Sequence, residues 1–89
     1  MTITPATGRY RNIETDAIVH AVHVDARDLG ALATWVGGDI EDGPSPAVVW
    51  DNGTEWTAQP GDWILRAEDG SYSALSDAAF QADYTVAFT

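Results

Sequence analysis

The chain has 89 residues, a hydrophobic fraction of 45% and nine aromatic side chains, four of them Trp, which suits one domain with one core and excludes a disordered acidic tail. Fourteen Asp and Glu against four Arg and no Lys give a formal charge of −10, which opposes direct binding to nucleic-acid phosphates or anionic lipid. The absence of Cys excludes a disulfide framework, a thiolate metal site and a thiol nucleophile, and the apolar runs are too short for a membrane-spanning helix. A cytoplasmic setting is the expectation, with no export signal read at the N-terminus.

Residues 1–15 carry few large apolar side chains and include Pro5 and Gly8, so they read as a loose lead-in that Tyr10 pins down, ahead of a single domain over 16–89. From Ala17 to Val24 the chain is apolar, β-branched and of strand length, which predicts a central strand. Asp25 then has the chemistry of a helix N-cap, and Leu29, Leu32, Ala33 and Val36 recur at helical spacing up to Gly37-Gly38, where glycine can take the left-handed cap.

The segment Asp39-Ile40-Glu41-Asp42-Gly43-Pro44-Ser45-Pro46 reads as an acidic surface loop. Asn52-Gly53 is a hairpin turn between strands at 47–51 and 54–59. A two-residue turn sets Val49 opposite Trp56 and Trp50 opposite Glu55, leaving Trp50 as the exposed aromatic while Trp56 and Trp63 go inside. Pro60-Gly61-Asp62 turns the chain into a strand from Trp63, and Asp69-Gly70 turns it again into Ser71 to Leu75. Ser76 or Asp77 caps a short helix that directs Phe80 inward, and Thr85 to Phe88 closes as a strand. The order predicts an α+β fold: a small, mainly antiparallel sheet with one amphipathic helix packed on it and a short C-terminal helix.

The run Pro60-Gly61-Asp62-Trp63-Ile64-Leu65-Arg66, with Gly70, Tyr72, Phe80 and Tyr84 after it and Tyr10-Arg11 before it, resembles a family of small phage and prophage proteins of unknown function. Members have a Tyr-Pro-Cys-Lys-Pro-Asp stretch where this chain has Ser73 to Ala78, so no role of that Cys or Lys carries over. The resemblance implies phage origin, action in the cytoplasm of an infected host, actinobacterial from the many Ala and the use of Arg to the exclusion of Lys, and no particular molecular role.

No catalytic set is legible. His20 and His23 are three apart in a strand and so lie on opposite faces, where they cannot share a metal. Asp39, Glu41 and Asp42 lack the ligand spacing of a calcium loop, and Asp62 has the position of a residue that hydrogen-bonds its own turn. The serines lack a nucleophile-elbow context, and without Lys there is no P-loop. No enzyme, metal or cofactor is expected. The leading expectation is an accessory protein that binds a host protein through Trp50, Glu55, Asp39, Glu41 and Asp42. Alternatives are a nucleic-acid mimic that occupies a host DNA-binding protein, a binder or enzyme of a small metabolite or signalling nucleotide, and a minor virion component. A homodimer through an edge strand is compatible with each.

Overall fold

The computed structural model describes residues 8–87, and it has the antiparallel α+β architecture expected, with the strands divided between two sheets. Strands β1 (Gly8–Asn12) and β2 (Ile18–His23) pair with each other, and a 3-10 turn (Ala26–Asp28) leads into helix α1 (Leu29–Val36). Strands β3 (Asp39–Glu41), β4 (Ala47–Asp51) and β5 (Glu55–Ala58) form a three-stranded sheet in that order. Strands β6 (Trp63–Arg66) and β7 (Tyr72–Leu75), helix α2 (Asp77–Asp83) and strand β8 (Tyr84–Val86) complete a five-stranded sheet ordered β7-β6-β2-β1-β8.

The β-branched run forms the central strand because both of its faces find apolar cover over part of their length. On one face Val19 and Ala21 pack with Leu65 under Phe80 of α2, whose ring stacks on Trp63 at 4.0 Å and on Tyr84 at 5.2 Å. On the other face Val22, Val24 and Ile64 meet a second cluster containing Leu29, Leu32 and Ala33 of α1 and Val48, Trp50 and Ala58 of the smaller sheet. The larger sheet is therefore a middle layer, with α2 on one side and α1 with the smaller sheet on the other.

The caps act where their chemistry places them. Asp25 accepts a hydrogen bond from the Arg27 backbone N–H at 2.9 Å, and Ser76 accepts one from Ala79 N–H at 3.2 Å. Gly37 ends α1 at φ 72°, and Gly38 then passes so close to β4 that a Cβ would press on the Val49 carbonyl oxygen and lie 2.9 Å from Trp50 Cβ. Asp62 accepts from Gln59 N–H at 3.0 Å and closes its own turn.

Three expectations are corrected. Residues 8–12, read as loose lead-in, are a strand hydrogen-bonded between β2 and β8, since the backbone of Arg9 to Asn12 is paired even though Tyr10 alone is a large apolar residue there; residues 1–7 of that lead-in lie outside the described residues. Asp39 to Glu41, read as loop, is an exposed strand paired to β4. The hairpin has three loop residues, Asn52, Gly53 and Thr54, so Trp50 lies opposite Trp56 and Asp51 opposite Glu55. With side chains alternating along a strand, that one-residue change moves Trp50 to the inner face.

Candidate functional site

The outer face of the smaller sheet gathers most of the acidic residues singled out from the sequence. The register pairs Asp39 with Val49, Glu41 with Ala47, Val49 with Thr57 and Asp51 with Glu55. Directly paired residues share a face, as do residues two apart on a strand, so Asp39, Glu41, Asp51 and Glu55 occupy one face around Val49 and Thr57. All four carboxylates are exposed, and neither ion pair among the described residues involves them. Asp51 and Glu55, directly opposite each other, form a like-charge pair that costs stability by itself. The Asp51 carboxylate accepts a hydrogen bond from the Gly53 backbone N–H at 2.8 Å.

An open depression of about 300 Å³ lies beside Gly37 and Gly38, lined by Asp39, Val49, Trp50, Asp51 and Glu55. Thus Asp39 and Glu55 come together here, Glu41 lies on the same face, and Asp42 follows in the adjoining loop. Asp51 belongs to the same group and was missed, because a two-residue turn pairs it with Thr54 and sets it on the opposite face from Glu55. Its signal lay in the three-residue alternative for the loop.

Trp50 is not a surface anchor. Only 6% of it is exposed, it packs in the core with Leu32 and Ile64, and its ring lies 6.4 Å from that of Trp56. The other three Trp residues, including Trp56 and Trp63, are half-buried and pack against the two core clusters. Asn52 ties this hairpin to β7, since its side-chain N–H donates to the Tyr72 carbonyl at 2.9 Å while its oxygen accepts from Trp56 Nε1 at 3.1 Å.

Strand β3 forms an edge of its sheet, with β4 its one strand partner among the described residues. All three of its residues are exposed, and Ile40 leaves 40% of its surface to solvent between Asp39 and Glu41. Such an edge presents unpaired N–H and C=O groups together with an apolar side chain.

The histidines lie on opposite faces of β2, as their spacing requires. His23 packs its ring edge against Trp63 at 5.1 Å, while His20 is on the face of Arg9 and Arg66. Trp63 in turn donates its indole N–H to Asp77 at 2.9 Å, and that hydrogen bond, followed by one from Gln81, holds the Asp77 carboxyl below the usual carboxylate range. Among the described residues no three His, Asp or Glu side chains converge in a way that could hold a metal ion. No family model, curated protein or solved structure matches the chain.

Proposed function

We propose that the chain is a small binding protein that takes up an extended, basic segment of a protein partner along the open edge of β3. The observation that carries this reading is the edge itself: Ile40 stands exposed between Asp39 and Glu41, with the four-carboxylate face beside it. Pairing with β3 would give affinity through main-chain hydrogen bonds, and Lys or Arg at alternate positions of the guest would meet the carboxylates. A second copy fits this edge less well, because Asp39 and Glu41 would then lie beside their own counterparts.

Together with the phage resemblance, this reading makes the protein a phage-encoded accessory factor and its partner a host protein in the cytoplasm. The alignment of four carboxylates on one face also favours a second reading, in which they imitate a row of phosphates and occupy a nucleic-acid-binding groove. The two differ in geometry: the first needs β3 to be paired, the second needs only the face.

Selection of peptides from a displayed library against the immobilised protein tests the proposal. Enriched peptides are expected to alternate Lys or Arg with β-branched residues, to protect the β3 amides from hydrogen exchange, and to lose binding to a variant carrying Asp39→Lys and Glu41→Lys. Peptides without a basic bias, or undiminished binding by that variant, would overturn it. Basic peptides that bind with β3 amides unprotected would move the assignment to the second reading.

A further inference from the structure

On the face of the larger sheet that carries Val22 and Ile64, the exposed positions two residues farther along the strands, His20 and Arg66 with Arg9 beside them, hold much of the chain's scarce positive charge. Arg9 is paired with His20, His20 with Arg66, and Arg66 with Tyr72, so a single row crosses β1, β2, β6 and β7. Two strand spacings separate Arg9 from Arg66, about 10 Å between Cα atoms. The two guanidinium groups can therefore converge on one ligand over His20.

Within the chain the four arginines are used differently. Arg11 pairs with Asp16 at 2.6 Å and Arg27 with Asp25 at 3.2 Å, whereas Arg9 and Arg66 take part in neither ion pair found among the described residues. Arg66 is instead held over the Tyr72 ring, its guanidinium carbon 5.9 Å from the ring centre. In a chain with fourteen acidic residues, two arginines with no carboxylate partner among the described residues, flanking a histidine in one row, are a local reversal of the overall field. Basic groups aligned across strands repel one another unless an anion lies among them.

The row also has a cavity. An open pocket of about 560 Å³ is lined by Arg9, Ile18, His20, Arg66, Ala67 and Glu68. That volume lies within the range of small-molecule sites, and its wall combines basic donors, the apolar surface of Ile18 and Ala67, and one acceptor, Glu68.

From this arrangement we infer that the Arg9–His20–Arg66 row binds a small organic molecule bearing a phosphate group or an equivalent oxyanion. Arginine matches such oxygens in a planar, two-pronged geometry, and the His20 ring supplies a further nitrogen donor between the two forks. The uncharged body of the ligand lies on Ile18 and Ala67, where Glu68 accepts from its hydroxyl groups. A long polyanion is disfavoured, because it extends past the row onto a surface rich in carboxylates, which repel it at close range. This site is on a different sheet from the acidic face and stands independently of the function proposed for that face.

Titration of the isotopically labelled protein by NMR tests the inference, with inorganic phosphate, ribose 5-phosphate and ribose as probes. Both phosphates are expected to shift the His20 ring and the backbone of Arg9, Arg66 and Ala67, and ribose is not. Each of Arg9→Gln and Arg66→Gln is expected to weaken binding roughly 10- to 100-fold, the loss of a charged hydrogen-bonding partner. Arg27→Gln, which changes net charge equally at an exposed position outside the pocket lining, is expected to stay within about twofold. Equal affinity for the two phosphates means that the site reads the oxyanion alone, and tighter ribose 5-phosphate means that it reads the attached body as well; either supports the assignment. No localised shifts at about 10 mM probe, far above the range of specific small-molecule sites, would overturn it. An Arg27→Gln loss as large as that of Arg66→Gln, or shifts caused by heparin and not by the small phosphates, would do the same.

Discussion

Replacing Trp50 by Ala separates the two roles that its place in the hairpin could give it. As a core residue, 6% exposed and packed with Leu32, Val48 and Ile64, it should cost about 3–5 kcal/mol, the range for removing a large buried aromatic side chain. Its indole N–H contributes little to that sum, since the Tyr72 carbonyl is 3.5 Å away, at the outer limit of a hydrogen bond. A chain of 89 residues has a total stability of roughly 4–13 kcal/mol, so the loss is a large share of the whole. Urea unfolding followed by fluorescence of the remaining three Trp residues and by circular dichroism reads it directly. With an m-value near 1 kcal/mol/M the midpoint falls by about 3 M or more. Should Trp50→Ala not fold, Trp50→Phe, which keeps most of the ring, is expected to fold with a smaller loss. A Trp50→Ala change below about 0.5 kcal/mol, the size of an ordinary surface substitution, would refute the inward placement of Trp50 and with it the three-residue hairpin register.

Two glycines should respond in opposite directions. Gly30 lies exposed in α1 with open space where a Cβ would go, so Gly30→Ala should stabilise by about 0.5–1 kcal/mol and raise Tm by several degrees. At Gly38 a Cβ meets the Val49 backbone, and Gly38→Ala should cost about 1–3 kcal/mol by forcing α1 and β4 apart, measured in the same urea experiment. The Asp77 carboxyl, held low by the Trp63 N–H, favours the folded state in its charged form. Its contribution is complete above the ordinary carboxylate pKa of about 3.9 and is lost as pH falls through the lower folded value. A pH titration by NMR should therefore show the Trp63 indole proton shifting with a midpoint below that of an exposed Asp, and Asp77→Asn should remove the transition; a midpoint at or above the ordinary value would contradict the hydrogen bond.

The elements that could be read from the sequence are those whose signals are local. Asp25 caps the 3-10 turn that leads into α1, Gly37 ends α1, Ser76 caps α2, Asp62 closes its own turn, and the run from Ile18 to His23 announces a central strand by composition alone. What was hidden depends on partners distant in the chain. Strand β1 has two Arg and an Asn among its five residues, and only its pairing with β2 and β8 makes it a strand. The place of Trp50 turned on one extra loop residue, Thr54, because a change of one position in register exchanges the faces. Asp39, Glu41 and Glu55 were picked out by charge, yet their common face, and the membership of Asp51 in it, follow from β3 and β4 pairing. The Arg9–His20–Arg66 row leaves no local trace, since its members come from three strands and become neighbours only in the sheet.

The claim that β3 is a docking edge for a basic extended segment is tested most directly by titrating the labelled protein with a synthetic peptide alternating Lys with Val and Thr. Backbone amide shifts should concentrate at Asp39–Glu41 and across the paired positions Ala47, Val48 and Val49, with a peptide of the same pattern carrying Glu in place of Lys leaving them unmoved. Added salt should weaken the Lys peptide, as expected for exposed charges. Shifts of equal size from both peptides, or none in β3, would contradict the account.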